Sequence, residues 1–214
     1  SQGVAMKPVC LVIGAGAGIG GTVGGKFASE GYHSVLCRRS NTEGLEELVA
    51  GMRQAGGDAT GFLLNATEEG AIESRISQVE AEIGPIEVVI FNLGAQIVNR
   101  SLADTSFKAF ELGWRMATFA LFRVAKAVAP TMEERGGGTI LVTSATAAVR
   151  GNAGQHSHAA AMGGRRMLCQ SLSAQYASKG IHIAHIVIDL SLIHISEPTR
   201  PERIGGCGVG GEKK

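Results

Sequence analysis

The sequence lacks any Cys-x-x-Cys pair. Its four cysteines, Cys10, Cys37, Cys169 and Cys207, stand far apart, which argues against a zinc site or a disulfide framework and points to a reducing, cytoplasmic setting. No metal site is expected. No run approaches the roughly 20 apolar residues that a membrane span needs, and the first residues lack the basic-then-apolar pattern of a secretory signal. Charge of one sign is missing too: the formal net charge is +1, and no clustered basic surface offers itself to nucleic acid or an anionic membrane. Neither partner is expected. The chain does not start with methionine, and Ser1 to Ala5, just ahead of Met6, read as upstream sequence.

What is present is length and apolar content enough for one core: 214 residues, 44% of them hydrophobic. Short apolar runs at Val9–Ile13, His33–Cys37, Ala59–Leu64, Ile86–Phe91, Thr139–Thr143 and Ile181–Ile188 read as strands. They alternate with helix-length amphipathic segments. One helix carries Ile72, Ile76, Val79 and Ile83 on one face and stops at Gly84-Pro85; another spans Thr42 to Ala55 and ends at Gly56-Gly57. This alternation predicts the α/β class, a Rossmann-type doubly wound parallel sheet of about six strands flanked by helices.

Directly after the first strand comes Gly14-Ala15-Gly16-Ala17-Gly18-Ile19-Gly20, leading into a helix that ends near Gly31. Residues without Cβ let backbone approach a pyrophosphate, and a helix N-terminus offers unpaired N–H groups. Gly14, Gly16, Ala17, Gly18, Ile19 and Gly20 are therefore expected to bind cofactor. Gly20, Gly21, Gly24 and Gly25 lie in or near the helix, and interior glycines at up to about 1 kcal/mol each predict local weakness.

The spacing of Gly14, Gly18 and Gly20, together with Asn92-Leu93-Gly94 after the fourth strand, resembles the short-chain dehydrogenase/reductase family, whose motifs are a glycine turn of this spacing and Asn-Ala-Gly. The resemblance covers Lys7 to Asp189. It implies a nicotinamide cofactor beside Asn92, Leu93 and Gly94, hydride transfer on a carbonyl or alcohol substrate, and a family habit of homo-oligomers. Cofactor choice in such folds falls at the end of the second strand, where Arg38 and Arg39 stand with no carboxylate, so NADP(H) is expected over NAD(H). The plainer reading, two solvated loop charges, leaves the preference open. Asn65 takes the place of a family aspartate near the adenine.

The family's catalytic groups are a serine, a tyrosine, a lysine four residues later and an asparagine on an earlier helix. Register fixed on Met167-Leu168-Cys169-Gln170-Ser171-Leu172 puts His158 in the tyrosine position and Met162 in the lysine position. The serine position falls on Ala145, between Ser144 and Thr146, and the asparagine position on Ala117 or Thr118. The only tyrosines, Tyr32 and Tyr176, lie elsewhere. His158 is the candidate proton donor to a developing alkoxide at neutral pH, with Ser144 as its helper. Against this stands the plain reading of His156 and His158 as polar residues at a helix start, or as a His-x-His metal pair. His182 and His185, on opposite faces of the last strand, are read as structural.

After Asp189 the text changes. Leu190 to Arg200 resembles the conceptual translation of a transposon-end adaptor, which divides the chain into a dinucleotide-binding domain, 1–189, and a non-native tail, 190–214. On that reading the native sequence is truncated, the family's substrate loop and oligomer-interface elements are missing, and the sixth strand is an aggregation-prone edge. The leading expectation is an NADP(H)-binding oxidoreductase with an atypical active site. The alternatives are a dinucleotide-binding sensor or scaffold without turnover, and a truncated product that does not fold stably.

Overall fold

The computed structural model describes residues 5–16, 18–94 and 99–188. Ala17 and the tail from Leu190 lie outside the described residues. Six parallel strands form one sheet: β1 (Val9–Ile13), β2 (His33–Arg38), β3 (Asp58–Leu63), β4 (Ile86–Phe91), β5 (Gly138–Ala145) and β6 (Ile181–Ile188), in the order β3-β2-β1-β4-β5-β6. The expected fold class is observed. β1, β4 and β6 have the bounds their apolar runs predict; β2 extends by Arg38, β3 shifts by one residue, and β5 is longer at both ends.

Successive residues of β1 supply opposite faces. Val9, Leu11 and Ile13 join one core with Val89, Phe91, Leu121 and Val124, while Cys10 and Val12 join another with Leu36, Leu45 and Val49. Helices α1 (Ile19–Ser29) and α2 (Thr42–Gln54) cover the second face. Helices α3 (Ala71–Glu82), α5 (Ala120–Glu134) and α6 (His156–Tyr176) cover the first. Of the expected stripe, Ile72, Ile76 and Val79 are buried on α3, while Ile83, at its C-cap, is half-buried. Helix α4 (Phe107–Trp114), with no buried residue, runs into α5 through a π-helical turn at Arg115–Phe119.

The chain leaves β1 toward β2 on one side and enters β4 on the other, so the strand order reverses at the C-terminal ends of β1 and β4. Doubly wound sheets open a ligand crevice at this point. Gly14 and Asn92 end those two strands, and the Asn92 N–H donates to the Ile13 carbonyl at 2.8 Å. Among the described residues, no helix is long and apolar enough to cross a membrane.

Candidate functional site

Gly14 is held at φ +93°, and a Cβ there would stand 2.5 Å from the Asn92 carbonyl oxygen. Glycine is required on both counts. A Cβ on Gly20 would stand 2.5 Å from the Gly14 oxygen, and one on Gly24 would stand 2.9 Å from Leu36. The glycines that weaken α1 as an isolated helix thus let it pack on the turn and on β2. Gly16 and Gly18 differ: beside Gly18 lies open space, and a Cβ on Gly16 would meet only the Gly18 nitrogen, at 4.0 Å. Gly18 caps α1 without a side-chain hydrogen bond, leaving the Ile19 and Gly20 N–H groups of the first turn with no intrahelical acceptor. Packed glycines behind and open, donor-lined backbone in front fit a pyrophosphate.

The turn is braced from two strands. The Gly14 and Ala15 N–H groups both donate to the Cys37 carbonyl at 2.9 Å, and Asn92 Nδ2 donates to the Gly14 carbonyl at 3.1 Å. Asn92 Oδ1 in turn accepts from Thr143 Oγ1 at 2.5 Å. Asn92 therefore stitches β1, β4 and β5 together at the crevice.

Two adjoining cavities open there. The smaller, about 130 Å³, is lined by Ile19, Asn92, Leu93, Gly94, Ser144 and His158, with Met162 and Arg165 behind them. The larger, about 540 Å³, runs from Arg39 and Ser40 past Gly94 to His156 and His158. The expected site residues Ile19, Arg39, Asn92, Leu93, Gly94, Ser144 and His158 are thus brought together. Arg38 is not: it is half-buried, and only Arg39, which is exposed, lines the larger cavity. Asn65 is exposed and its Oδ1 accepts from Thr67 N and Oγ1 at 3.1 and 2.7 Å, serving its own turn. His182 is exposed, whereas His185 is half-buried.

His158 has both ring nitrogens buried without a hydrogen-bond partner, and the buried Ser144 Oγ also lacks one. Burial, and then the Arg165 charge, pull the His158 pKa below its ordinary 6.5. The shift favours the neutral imidazole, in which one ring nitrogen can accept a proton and the other carries an N–H.

Arg165 is the residue that sequence reasoning missed. It is 1% exposed, and it donates through Nε to the Ala117 carbonyl at 2.9 Å, through Nη1 to Thr143 O at 2.7 Å and through Nη2 to Leu93 O at 2.5 Å. Its guanidinium stacks over Phe91, 4.9 Å from the ring centroid. The Ala117 carbonyl lies in the π-helical turn, where the regular i to i−4 ladder is interrupted. Thr118 Oγ1 donates to Ala161 O at 2.8 Å, an approach that Gly164 permits because a Cβ there would meet Thr118 at 2.9 Å. Burial draws the Arg165 pKa down only to about 10, so it stays charged at neutral pH. The signal for it was an arginine on the apolar face of α6, in register with Ala161, Met162 and Cys169.

Among the described residues, burial holds His33, His158 and His185 below their ordinary value. Below about pH 6.5 the unfolded chain takes up protons that the folded chain resists. The stability present above pH 6.5 is therefore lost as pH falls. The melting temperature is expected to drop between pH 7.5 and 5.5; an equal or higher value at pH 5.5 would contradict these environments.

A family profile described as short chain dehydrogenase matches residues 8–195. Curated relatives include a 2-dehydro-3-deoxy-D-gluconate 5-dehydrogenase of Formosa agariphila, 27% identical over 176 residues, which are 82% of this chain and 66% of that protein. A 7alpha-hydroxysteroid dehydrogenase of Escherichia coli K12 is 26% identical over 184 residues, 86% of this chain and 71% of its own length. The chain thus spans about two thirds of these relatives. Among solved structures, a short-chain dehydrogenase from Rhodopseudomonas palustris superposes with a TM-score of 0.80 at 37% identity, covering 84% of each chain. A gluconate 5-dehydrogenase from Burkholderia cenocepacia, in complex with NADP and tartrate, gives 0.77 at 26% identity over 85% of this chain and 71% of its own.

Proposed function

The chain belongs to the short-chain dehydrogenase family, and from that membership we propose that it is an NADP(H)-binding oxidoreductase acting on a small alcohol or carbonyl substrate. The observation that carries this reading is the larger cavity, which joins Arg39 at the end of β2 to His158 through Gly94 with no carboxylate in its lining. A dianionic 2′-phosphate suits a groove with an arginine and no acidic wall. Gly16, Gly18, Ile19 and Gly20 would hold the pyrophosphate, and Asn92 to Gly94 the neighbouring wall. When bound, the cofactor exchanges a hydride with the substrate carbon. The chain's own part is the proton: neutral His158 accepts it from an alcohol, and Ser144 orients the substrate oxygen.

The named relatives are dehydrogenases, which supports turnover over a sensor or scaffold. Among the described residues Cys10, Cys37 and Cys169 are buried and free, and burial pushes their thiols up to about 12, 12 and 11, which leaves them inert. Turnover is tested with a panel of secondary alcohols and of ketones against NADP⁺ and NADPH, followed at 340 nm. Substrate-dependent change in absorbance is expected; none with any member, in protein that binds NADPH, would favour the sensor.

Arg39→Ala is expected to weaken NADPH binding about tenfold, as loss of a charged hydrogen bond does, while leaving NADH unaffected. Cofactor fluorescence titration reads both. Equal weakening of the two would remove Arg39 from 2′-phosphate recognition.

A further inference from the structure

The larger cavity holds more positive charge than the cofactor accounts for. Arg39 at one end would pair with the 2′-phosphate, yet Arg100 lines the same space of about 540 Å³, and no carboxylate does. Among the described residues Arg100 forms no ion pair. Along the sequence no acidic residue stands between Glu87 and Asp104, and Asp104 is engaged, its Oδ2 accepting from the Ser101 hydroxyl at 2.7 Å. Part of the wall is apolar, with Ala109 and Leu112 from α4 and Met116 from the π-helical turn.

The backbone fastens Arg100 to this wall. Its N–H donates to the carbonyl of Gly154, four residues before His158, at 2.9 Å, and Gly154 holds φ +76°, where glycine is favoured. Helix α4 closes in on the start of α6 through Gly113, where a Cβ would stand 2.7 Å from Ser157 Oγ. One cavity thus joins a backbone-anchored arginine and an apolar face to His158.

A cleft lined by charge of one sign draws the opposite sign into it. With Arg39 taken by the cofactor, the charge left over is one guanidinium, whose planar fork matches a carboxylate in two parallel hydrogen bonds. The methylenes that carry such a carboxylate suit Leu112 and Met116, since pockets of this kind pair an apolar lining with a few orienting polar groups. We infer that the substrate is an oxo acid, or the corresponding hydroxy acid, whose carboxylate is held by Arg100, and that Arg100 thereby sets specificity. This rests on the oxidoreductase reading above. The carboxylate is bound and left unchanged; the electron pair passes as hydride between the substrate's carbonyl carbon and the cofactor.

The test sets three oxo acids, 4-oxopentanoate, 5-oxohexanoate and 6-oxoheptanoate, against their primary amides, with NADPH oxidation followed at 340 nm. Acid and amide have nearly the same shape and differ in charge. At least one acid is expected to exceed its amide in kcat/KM by about tenfold or more, the worth of a charged hydrogen bond. Arg100→Gln, which keeps the backbone bond to Gly154, should bring that ratio close to one, and Arg100→Lys should restore part of it. The ratio is the readout because a general disturbance of the fold lowers acid and amide alike. No preference for any acid in the wild type, or the same preference in Arg100→Gln, would overturn the proposal. So would a ratio that falls in Arg39→Ala and stands in Arg100→Gln. Calorimetric titration of the same compounds in the presence of NADP⁺, where no hydride is available, separates the two readings. Turnover of the amides without preference for the acids removes the acid site alone. Arg100-dependent binding of an acid without turnover of any compound removes the oxidoreductase reading and leaves Arg100 as the residue that recognises an acid.

Discussion

Gly14→Ala is expected to lower the melting temperature by on the order of 10 °C and to abolish saturable NADPH binding. Two costs add: a non-glycine residue at φ +93°, and a Cβ 2.5 Å from the Asn92 carbonyl oxygen, where β1 and β4 lock together. Strain of 1–3 kcal/mol and overpacking of similar size give about 3 kcal/mol, at 2–4 °C for each in a chain of this length. Gly18→Ala makes the control. Its Cβ meets nothing within 4 Å, so the fold should melt near wild type while NADPH binding weakens at least tenfold, because the methyl enters the space kept for phosphate. Calorimetry and cofactor fluorescence distinguish the pair. Equal melting temperatures for the two variants would refute the division of the turn into packed and open glycines.

His158→Ala is expected to reduce kcat for alcohol oxidation by about 10²–10⁴, with NADPH affinity unchanged. The pH profile carries the sign. A base must be unprotonated, and His158 titrates below 6.5, so wild-type oxidation should rise with pH in the acid range and hold a plateau from about pH 6.5 upward. A profile that instead rises through pH 9 would assign the proton to another group. An alanine variant with wild-type kcat would end the histidine's role.

The sheet was legible because its signal is local. Runs such as Val9–Ile13 and Ile86–Phe91 are buried on both faces, and their strand bounds follow from apolar content alone. The glycine turn was legible because order, strand then glycines then helix, constrains it. The helical segment from Phe107 was not, for a physical reason: α4 buries no residue and exposes Phe107, Phe110, Leu112 and Trp114, so apolar content there does not mark an inward face. The π-helical turn that follows breaks the 3.6-residue period as well.

At the site, the flanking text of α6 identified position 158, and the structure puts His158 at the meeting of both cavities. Its protonation was not legible, since that depends on burial and on a charge seven residues away. Arg165 itself escaped because arginine is counted as surface in any apolar-polar pattern. The three carbonyls converging on it, from the segment after β4, from β5 and from the π-helical turn, account for its burial. The packing role of Gly20 and Gly24 was hidden in the same way: their neighbours, Gly14 and Leu36, belong to other elements.

The most direct measurement is titration of the purified wild-type chain with NADPH and with NADH, followed by cofactor fluorescence. Saturable binding of both is expected, with NADPH tighter by about tenfold, the worth of one charged contact to the 2′-phosphate. Absence of saturable NADPH binding, or a tighter grip on NADH, would contradict the NADP(H) reading.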